Sequence, residues 1–414
     1  MKKLKYQKSI FIFRSDLRFE DNIGLIHALK NSNFVIPIYM TKNIDLFKIK
    51  NKNNQQFIIE SLDILNKFLT KFNSKIFLIN SIIDLKKIIK KDKNINAIFI
   101  NKLYHPKQIE QEQKIQKICD NQKIEFKIFH DFLLHEINTI YPGKRKNIKS
   151  AYKVFSPFFR KSQFCKIQKP IKNNFKNYIN QNYELKTNFN IKNLSTNFKI
   201  NENINNHGGF DQANKILQNL KNFKNYQKIK DFPAIKGTTE LSAYINTGCI
   251  SIRNIYYKII KILSKNHELI RQLYWREFYY NLYFAYPELF ESTLKKPKIK
   301  WEYNKKIFNQ WTSGKTNEPF VNASIKKLTL TGFINNRCRM LASNYLALRL
   351  KINWTWGEKY FAKKLIDYDP ILNNGNWQYM AQVGADTAGY LRILNPKLQQ
   401  KKFDPKFNFI NKFN

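Results

Sequence analysis

SIFIF, residues 9–13, is the first of five short apolar runs, rich in Ile, Val and Phe, at the start of the chain. The other four runs are FVIPIY (34–39), KIFLI (75–79), NAIFI (96–100) and EFKIF (125–129). Between them lie helical patterns such as residues 55–69, in which apolar side chains recur on one face. Strands that alternate with helices predict a doubly wound, parallel five-stranded sheet, an α/β domain at the N-terminus. No GxGxxG follows the first run, so an ordinary Rossmann nucleotide site is not predicted there.

Bulk properties exclude several classes of protein. The chain of 414 residues is too long for one ordinary core, so we expect two domains. No run of about 18 apolar residues is present, which argues against a membrane-spanning helix. The basic start lacks the long apolar region of a signal peptide, and four scattered Cys residues form no CxxC pair. We therefore expect a cytoplasmic, reduced protein.

The net charge of +43 permits two interpretations. Lys greatly outnumbers Arg, and Asn, Ile and Phe are also abundant, so A/T-rich codons alone could produce this composition. Lysine side chains nevertheless attract nucleic-acid phosphates, because binding releases counterions. This holds even if codon bias alone produced the lysines. The composition therefore allows a DNA partner without establishing one, and the positions of the few Arg residues are more informative.

The second half of the chain is patterned differently from the first. Residues 267–290 predict one long amphipathic helix that ends near Pro287, and residues 322–350 predict two helices broken near Gly332. All six Trp residues and ten of the twelve Gly residues lie in this half. The preceding stretch is rich in Asn and Lys with weak periodicity, which favours a long surface connection. The predicted division is an α/β domain (1–135), a connection (136–207) and an all-helical domain (208–414).

The stretch GTTELS (237–242) contains a Gly followed by two Thr residues and then an apolar-periodic run. This pattern predicts a helix start capped by the hydroxyls of Thr238 and Thr239. Free N–H groups and hydroxyls at such an end suit a pyrophosphate. A plain helix cap without a ligand explains the same residues, and on this stretch alone it is the favoured explanation.

NNRCRM (335–340) places two Arg residues two positions apart on a predicted helix, so that Arg337 and Arg339 point in different directions. An inward-pointing Arg needs a carboxylate or an anionic ligand, because an unpaired buried charge is prohibitive. The segment DYDP offers two carboxylates, Asp367 and Asp369, on a turn. A structural ion pair and a ligand site explain this arrangement equally well.

Four of the Trp residues, Trp275, Trp301, Trp354 and Trp377, fall on separate predicted elements. Large aromatic side chains in a helical domain ordinarily belong to the core. Indoles are also easily oxidised, so a row of them could pass electrons to a buried redox centre. The residues alone leave both roles open, with the core role favoured.

These motifs occur in an order that resembles the DNA photolyase/cryptochrome family across nearly the whole chain. The matching segments are FRSDLRFEDN (13–22), YKVFSPF (152–158), GTTELS (237–242), WREFY (275–279), NNRCRM (335–340), DYDPILNNGNWQY (367–379) and RILNP (392–396). Each motif is moderately specific, and the ordered set is highly specific. The bacterial class I enzymes that act on cyclobutane pyrimidine dimers look most similar.

The resemblance implies a flavoprotein enzyme, a carbon–carbon lyase that binds FAD in its all-helical domain and repairs cyclobutane pyrimidine dimers. Reduced FAD, excited by light, would donate an electron to the dimer. Ultraviolet-damaged DNA, single- or double-stranded, would be the partner of a monomeric protein, and no metal is implied. Three alternatives stay open: a cryptochrome-like blue-light sensor without repair activity, repair of (6-4) photoproducts, and a degenerate FAD-binding relic.

The resemblance also implies which residues contact FAD. Asn373 would face N5 of the flavin, and Asp367 would pair with Arg339 beside the ring. The full set of implied FAD contacts is Tyr226, Thr238, Thr239, Glu240, Leu241, Ser242, Asn336, Arg339, Asp367, Tyr368, Asp369 and Asn373. The residues that match the family's electron-transfer chain, from flavin to surface, are Trp377, Trp354 and Trp301.

Contacts with DNA are implied in the same way. Trp275 and Met340 match positions that touch a pyrimidine dimer flipped out of the stack. The full set of implied DNA or substrate contacts is Lys230, Gln272, Trp275, Arg276, Tyr279, Asn336, Arg337, Cys338, Met340, Arg392 and Gln399.

Several positions depart from the family pattern. Gln272 stands where dimer-repairing relatives usually carry Glu, and Tyr379 replaces a usual Trp in the binding wall. Gln108 and Lys107 replace a folate-binding Glu and an Asn, which weakens the match to a folate-type antenna pigment site. The chain ends at Asn414, where relatives continue for further helices, so we expect reduced stability or DNA affinity.

Overall fold

The five predicted strands form one parallel sheet in the computed structural model, which describes residues 4–45, 48–143, 150–185, 200–385 and 390–413, together with Ile191 and Leu194. The strands are β1 (Tyr6–Phe13), β2 (Ser32–Met40), β3 (Phe77–Ile79), β4 (Ile95–Asn101) and β5 (Glu125–Phe129). Their order in the sheet is β3-β2-β1-β4-β5, and every neighbouring pair is parallel. The predicted doubly wound five-stranded sheet is therefore confirmed.

Burial on both faces of the sheet explains why its strands are continuous apolar runs. Residues 10–13 of β1 are all fully buried. The helices that connect the strands are α1 (Ile23–Asn31), α2 (Lys52–Thr70), α3 (Ile82–Lys91) and α4 (Pro106–Gln122). Each begins at a polar cap; ahead of α1, for example, the side chain of Asn22 accepts a hydrogen bond from the N–H of Leu25.

The second half of the described chain is mostly helical, as predicted, and one further helix, α5 (Phe155–Ser162), lies in the predicted connection. The remaining helices are α6 (Phe210–Gln218), α7 (Tyr226–Ile229), α8 (Ser242–Thr247), α9 (Ile252–Ile262), α10 (Glu268–Ala285), α11 (Lys305–Thr312), α12 (Pro319–Thr331), α13 (Asn336–Asn344), α14 (Trp354–Lys364), α15 (Pro370–Met380), α16 (Pro396–Phe403) and α17 (Asn408–Phe413). The predicted long helix is α10, and the predicted break is present because Gly332 ends α12 with a φ of +72°. Within the described ranges, none of these helices combines the length and apolar character needed to span a bilayer.

One predicted helix start is wrong. Thr238 and Thr239 do not cap a helix, because they lie in an irregular segment and α8 begins only at Ser242. The physical reason lies between them and the helix, where Glu240 takes a positive φ of +54°. The backbone therefore turns out of the helical region just where the sequence pattern places the first turn.

The predicted connection at 136–207 crosses the surface in part, but it also contains a helix and pairs with β2. Its residues 144–149, 186–190, 192–193 and 195–199 lie outside the described residues, as does the terminal Asn414. The described part contains α5 and a segment that joins the start of β2. There Val35 donates its N–H to the carbonyl of Asn177 (3.0 Å) and accepts from the N–H of Ile179 (2.8 Å).

A buried ion network joins the helices to the sheet. Arg253, on α9, lies 3.0 Å from Asp21 and 2.8 Å from Asp131, which both belong to the α/β part of the chain. Arg18 pairs with Asp131 as well. Because an unpaired charge inside the protein is strongly destabilising, this network fixes how α9 and the neighbouring α10 dock on the sheet.

Candidate functional site

The first element of the site is an ion pair between α13 and the segment that precedes α15. The guanidinium of Arg339 donates to both carboxylate oxygens of Asp367, at 3.0 and 2.9 Å. Asp367 also accepts from the hydroxyl of Ser242 at 2.6 Å, and its backbone carbonyl accepts from the amide of Asn246. Asp367 is nearly buried, whereas about a quarter of the Arg339 side chain is exposed. The pair anticipated from the sequence is therefore present, with its guanidinium open on one side.

Asp369 has a different environment from Asp367. One oxygen accepts the N–H groups of Ile371 and Leu372, both at 2.9 Å, and so caps α15. The other oxygen accepts from the hydroxyl of Tyr280. Burial raises the pKa of Asp369 despite these bonds. Its carboxylate is thus fully engaged in starting α15, and its first role is to position that helix.

Asn373 lies on α15 and is oriented by a residue that the sequence analysis missed. Its side-chain amide donates to the backbone carbonyl of Glu358 at 3.0 Å and to the Glu358 carboxyl group at 2.8 Å. Burial raises the pKa of Glu358 to about 7. With its N–H groups engaged, Asn373 has its side-chain carbonyl oxygen left to receive a ligand N–H. The sequence carried no signal for Glu358, which has the pattern of an ordinary carboxylate on the surface of α14.

The three indoles of the implied electron-transfer chain differ in burial. Trp377 and Trp354 are 2% and 4% exposed, whereas Trp301 is partly exposed. Trp301 donates to the carbonyl of Ala347, but the Trp377 N–H is buried without a partner among the described residues. Trp377 also makes a T-shaped contact with Trp311, with 6.2 Å between ring centroids. Trp311 is a second neighbour that the sequence analysis did not assign.

Backbone pairing brings the outer two indoles onto adjacent segments. The N–H of Asn353 donates to the carbonyl of Glu302 at 3.0 Å, so the residue after Trp301 meets the residue before Trp354. The inner indole packs on the same helix as Trp354, because a Cβ added at Gly357 would lie 2.2 Å from the Trp377 ring. All three indoles therefore lie on segments that converge at the N-terminal half of α14.

The remaining residues implied to contact FAD differ in burial. Tyr226 and Leu241 are buried, and Thr238 and Thr239 are half-buried. Glu240 accepts from the side-chain amide of Asn205 at 2.9 Å. Burial raises the pKa of Tyr368, which lies between the two carboxylates. The segment 237–242 reaches the ion pair through the bond from Ser242 to Asp367. That the other residues join it in one FAD site stays a prediction.

Trp275 forms a second, more exposed part of the site. Its ring stacks on Phe155 of α5, with 3.7 Å between centroids and 5° between planes. Tyr379 of α15 meets the indole edge-on at 6.4 Å. Met340 is half-buried on α13, where its sulfur lies 3.5 Å from the amide of the exposed Asn336. Phe155 was missed by the sequence analysis, although the quoted segment YKVFSPF contains it.

Three residues expected to contact DNA do not reach the surface. Arg276 is 6% exposed, and its guanidinium stacks over the ring of Phe132 at 4.1 Å. Tyr279 is 3% exposed and packs beneath Trp275, while Cys338 is completely buried. In the folded chain α10 and α13 turn these positions toward the interior, and contact of the three residues with DNA stays a prediction. The three side chains support the surface from beneath.

Gln272 belongs to a small polar cluster on α10. Its side-chain amide donates to Glu268, one turn earlier, at 2.8 Å. Lys230 donates to the same oxygen of Glu268 at 2.9 Å. The carboxylate that the family pattern places at position 272 is thus absent, but another carboxylate stands one turn away. Glu268 is a site residue that was not predicted from the sequence.

Arg337 is already engaged within the fold. Its guanidinium lies 3.1 Å from Asp231, stacks over the ring of Phe403 at 4.3 Å and donates to Gln399 at 3.4 Å. About a sixth of the side chain is exposed. Arg392 is exposed, with its guanidinium 6.0 Å from the ring of Tyr390. Of the two Arg residues, Arg392 is the more accessible to a phosphate.

Gln108 and Lys107, the residues considered for an antenna pigment site, take part in local hydrogen bonding. The side chain of Gln108 accepts from the N–H of His105, and the His105 ring accepts from the N–H of Lys107, so all three residues take part in starting α4. Burial lowers the pKa of His105 to about 4. The presence of an antenna pigment stays a prediction.

Comparisons with known proteins place the chain in a family. A model described as DNA photolyase matches residues 9–173, and one described as the FAD binding domain of DNA photolyase matches residues 269–414. A deoxyribodipyrimidine photo-lyase from Buchnera aphidicola is 33% identical over 98% of this chain and 87% of its own length. The chain belongs to the DNA photolyase/cryptochrome family.

Solved structures of photolyases share the fold of the whole chain. An archaeal photolyase from Sulfolobus tokodaii with two FAD molecules is 33% identical, has a TM-score of 0.86, and matches over 98% of this chain and 90% of its own. A bacterial class III photolyase from Agrobacterium tumefaciens is 27% identical, with a TM-score of 0.88 and coverage of 100% and 87%. The predicted family and the FAD-binding domain are confirmed. The class within the family and the domain boundaries stay predictions.

The chemistry of the site fits FAD. A flavin presents both N–H donors and carbonyl acceptors at its polar edge, and the pair of Arg339 and Asp367 supplies both kinds of partner. The side-chain oxygen of Asn373 and the buried N–H of Trp377, which has no partner among the described residues, add an acceptor and a donor. Thr238, Thr239 and the segment around them would hold the phosphates.

Asp367→Ala should reduce FAD affinity by at least about tenfold, or about 1.4 kcal/mol. The change removes an acceptor from the site and leaves the Arg339 guanidinium without its carboxylate. The FAD-to-protein ratio after purification and a titration of apoprotein with FAD measure the effect. Asp231→Ala is the matched control, since it breaks the ion pair of Arg337 on the same helix and should retain FAD. Equal FAD binding by both variants would contradict the proposed role of Asp367.

Proposed function

We propose that this protein uses reduced FAD and light to split cyclobutane pyrimidine dimers in DNA. The proposal is supported by the near full-length similarity to deoxyribodipyrimidine photo-lyases. The observation that carries it is the contact between Trp275 and Tyr379. Tyr379 lies on α15, the helix that also carries Asn373 and Trp377. α15 therefore contributes to the aromatic face through Tyr379 and to the proposed flavin contacts through Asn373.

The residues divide into two groups by task. Arg339, Asp367 and Asn373 would bind and orient FAD, which supplies the light absorption and one-electron chemistry when bound. Trp275 and Tyr379 form two walls at a steep angle, which suits a pair of linked pyrimidines extruded from the DNA stack. Phe155 covers one face of the indole, so the lesion would use the remaining surface.

Gln272 can accept a hydrogen bond from the lesion, although it stands where the family pattern has Glu. Glu268 accepts from the amide nitrogen of Gln272, and the reversed amide would place oxygen against a carboxylate. The interaction therefore fixes the side chain with its oxygen facing away from Glu268, and Lys230 balances the carboxylate charge. Pyrimidine imides carry an N–H donor, so a fixed acceptor at this position is the feature that a dimer needs.

The proposed function is tested with thymine-dimer oligonucleotides and protein whose FAD has been reduced with dithionite. Dimers should disappear under blue light and persist in the dark. A parallel (6-4) photoproduct substrate should remain unchanged in both conditions. FAD-loaded protein that leaves dimers intact in the light would contradict the proposal and favour the sensor alternative, while loss of the (6-4) lesion alone would reassign the substrate.

The proposed electron path is tested by replacing indoles singly. Trp377→Phe should abolish photoreduction of oxidised FAD in the presence of an external thiol, because the buried inner indole no longer relays an electron from the surface. Repair by dithionite-reduced protein should persist. Trp311→Phe is the matched control, since it removes a neighbouring buried indole outside the proposed path. Photoreduction that survives Trp377→Phe but fails in Trp311→Phe would move the path to Trp311.

The orientation of Gln272 is tested by the ratio of dark affinities for dimer-containing and intact DNA at one salt concentration. Glu268→Ala should lower this ratio by about threefold to tenfold, since a neutral hydrogen bond contributes about 0.5–1.5 kcal/mol. The ratio cancels the general gain in DNA attraction from removing a negative charge. Glu268→Gln keeps an acceptor for Gln272 and should retain the ratio. An unchanged ratio in Glu268→Ala would show that Gln272 is not held for the lesion.

A further inference from the structure

Three asparagines at the N-terminus of α2 reach across to the C-terminal end of α14, and we call Asn51, Asn53 and Asn54 the asparagine clasp. Asn51 donates its side-chain amide to the carbonyls of residues 362 and 365, at 2.6 and 2.7 Å. Asn53 and Asn54 donate to the carbonyls of residues 364 and 366, each at 2.7 Å. One helix start thus donates four hydrogen bonds to the backbone of residues 362–366.

The clasp satisfies backbone groups that a helix cannot satisfy itself. The last carbonyls of any α-helix have no partner within that helix. Asn51 is 4% exposed and Asn53 8%, so this junction is largely closed to water. The orientation of Asn51 is fixed further, because its oxygen accepts the N–H of Asn54 and caps α2. These side-chain amides are therefore held in one orientation as hydrogen-bond donors, unlike amides on the surface that can rotate freely.

Two segments of the proposed flavin site begin at this junction. One carries Asp367, and the other leads from Gly332 to Arg339. The clasped carbonyl of Ile366 immediately precedes Asp367, and the N–H of Ile366 donates to the carbonyl of Gly332 at 2.9 Å. A Cβ at Gly332 would lie 2.8 Å from the amide of Asn53, so that backbone packs directly on the clasp. Gly332 in turn leads to residue 334, whose carbonyl accepts from the guanidinium of Arg339.

We propose that the asparagine clasp is a positioning device through which the α/β part of the chain sets the affinity of the helical part for FAD. It holds the start of the Asp367 segment and the backbone that leads to Arg339 in one arrangement. Loss of the donors leaves buried carbonyls unpaired, and the segment must move to reach water. This inference rests on the proposed role of Asp367 and Arg339 in binding FAD.

The test uses Asn→Asp changes, which keep the shape of the side chain but replace the donor by an acceptor. Asn54→Asp and Asn51→Asp are compared with Asn177→Asp in the full-length chain. Asn177 is a matched control, because its amide likewise donates to backbone carbonyls, those of Leu29 and Ser32 at the end of α1, and neither residue is or adjoins a proposed flavin contact. Asn51→Asp retains the oxygen that caps α2, so helix initiation is preserved.

FAD release is followed by flavin fluorescence after dilution, and the thermal midpoint is measured on the same samples. The clasp variants should release FAD at least about fivefold faster than wild type, whereas Asn177→Asp should lose thermal stability without a change in release. If Asn51→Asp does not fold, Asn54→Asp provides the same measurement with a single lost donor. If the folded clasp variants release FAD as slowly as Asn177→Asp does, the inference is overturned. The separate behaviour of Asp367→Ala shows whether the proposed flavin site itself has failed.

Discussion

The docking of the helices on the sheet depends on one buried cation. Arg253 is 2% exposed, and Asp21 and Asp131 are the carboxylates that balance its charge. Burial alone would raise the pKa of Asp131, but the guanidiniums of Arg18 and Arg253 hold it below its usual value. Removal of Arg253 would leave the buried carboxylate of Asp21 without its cation. The network therefore selects one orientation of α9 against the sheet.

That orientation decides which side chains of α10 reach the surface. Glu277 accepts from the backbone N–H groups of Leu134 and His135 at 3.0 and 3.2 Å, and burial raises its pKa to about 7. Arg276, beside it, turns toward the α/β part and donates to a backbone carbonyl there. With these two residues directed inward, Trp275 lies against α5. The docking that buries Arg276 thus also builds the aromatic face.

Features that depend on local periodicity were predictable from the sequence, as the sheet and the long helix α10 show. The pairing of Arg339 with Asp367 was also predictable. An inward-pointing Arg needs a carboxylate, and the family pattern identified Asp367 as that carboxylate. Contacts between distant segments were not predictable. Phe155 reaches Trp275 only through the docking of α5 on α10, and Glu358 has the sequence of an ordinary helix-surface carboxylate. Nothing in the local pattern separated these residues from their neighbours.

The placement of arginine limits how positive charge can serve DNA binding under the proposed function. The buried members are Arg14, Arg18, Arg253 and Arg276. Arg337 and Arg339 are paired with carboxylates. The exposed arginines of the described chain are Arg160, Arg349 and Arg392, and they share the attraction of phosphates with the far more numerous lysines. That attraction is the same for damaged and intact duplex. Selectivity for a lesion must come from elsewhere: from the walls of Trp275 and Tyr379 and from the fixed acceptor of Gln272, which only a base outside the stack can reach.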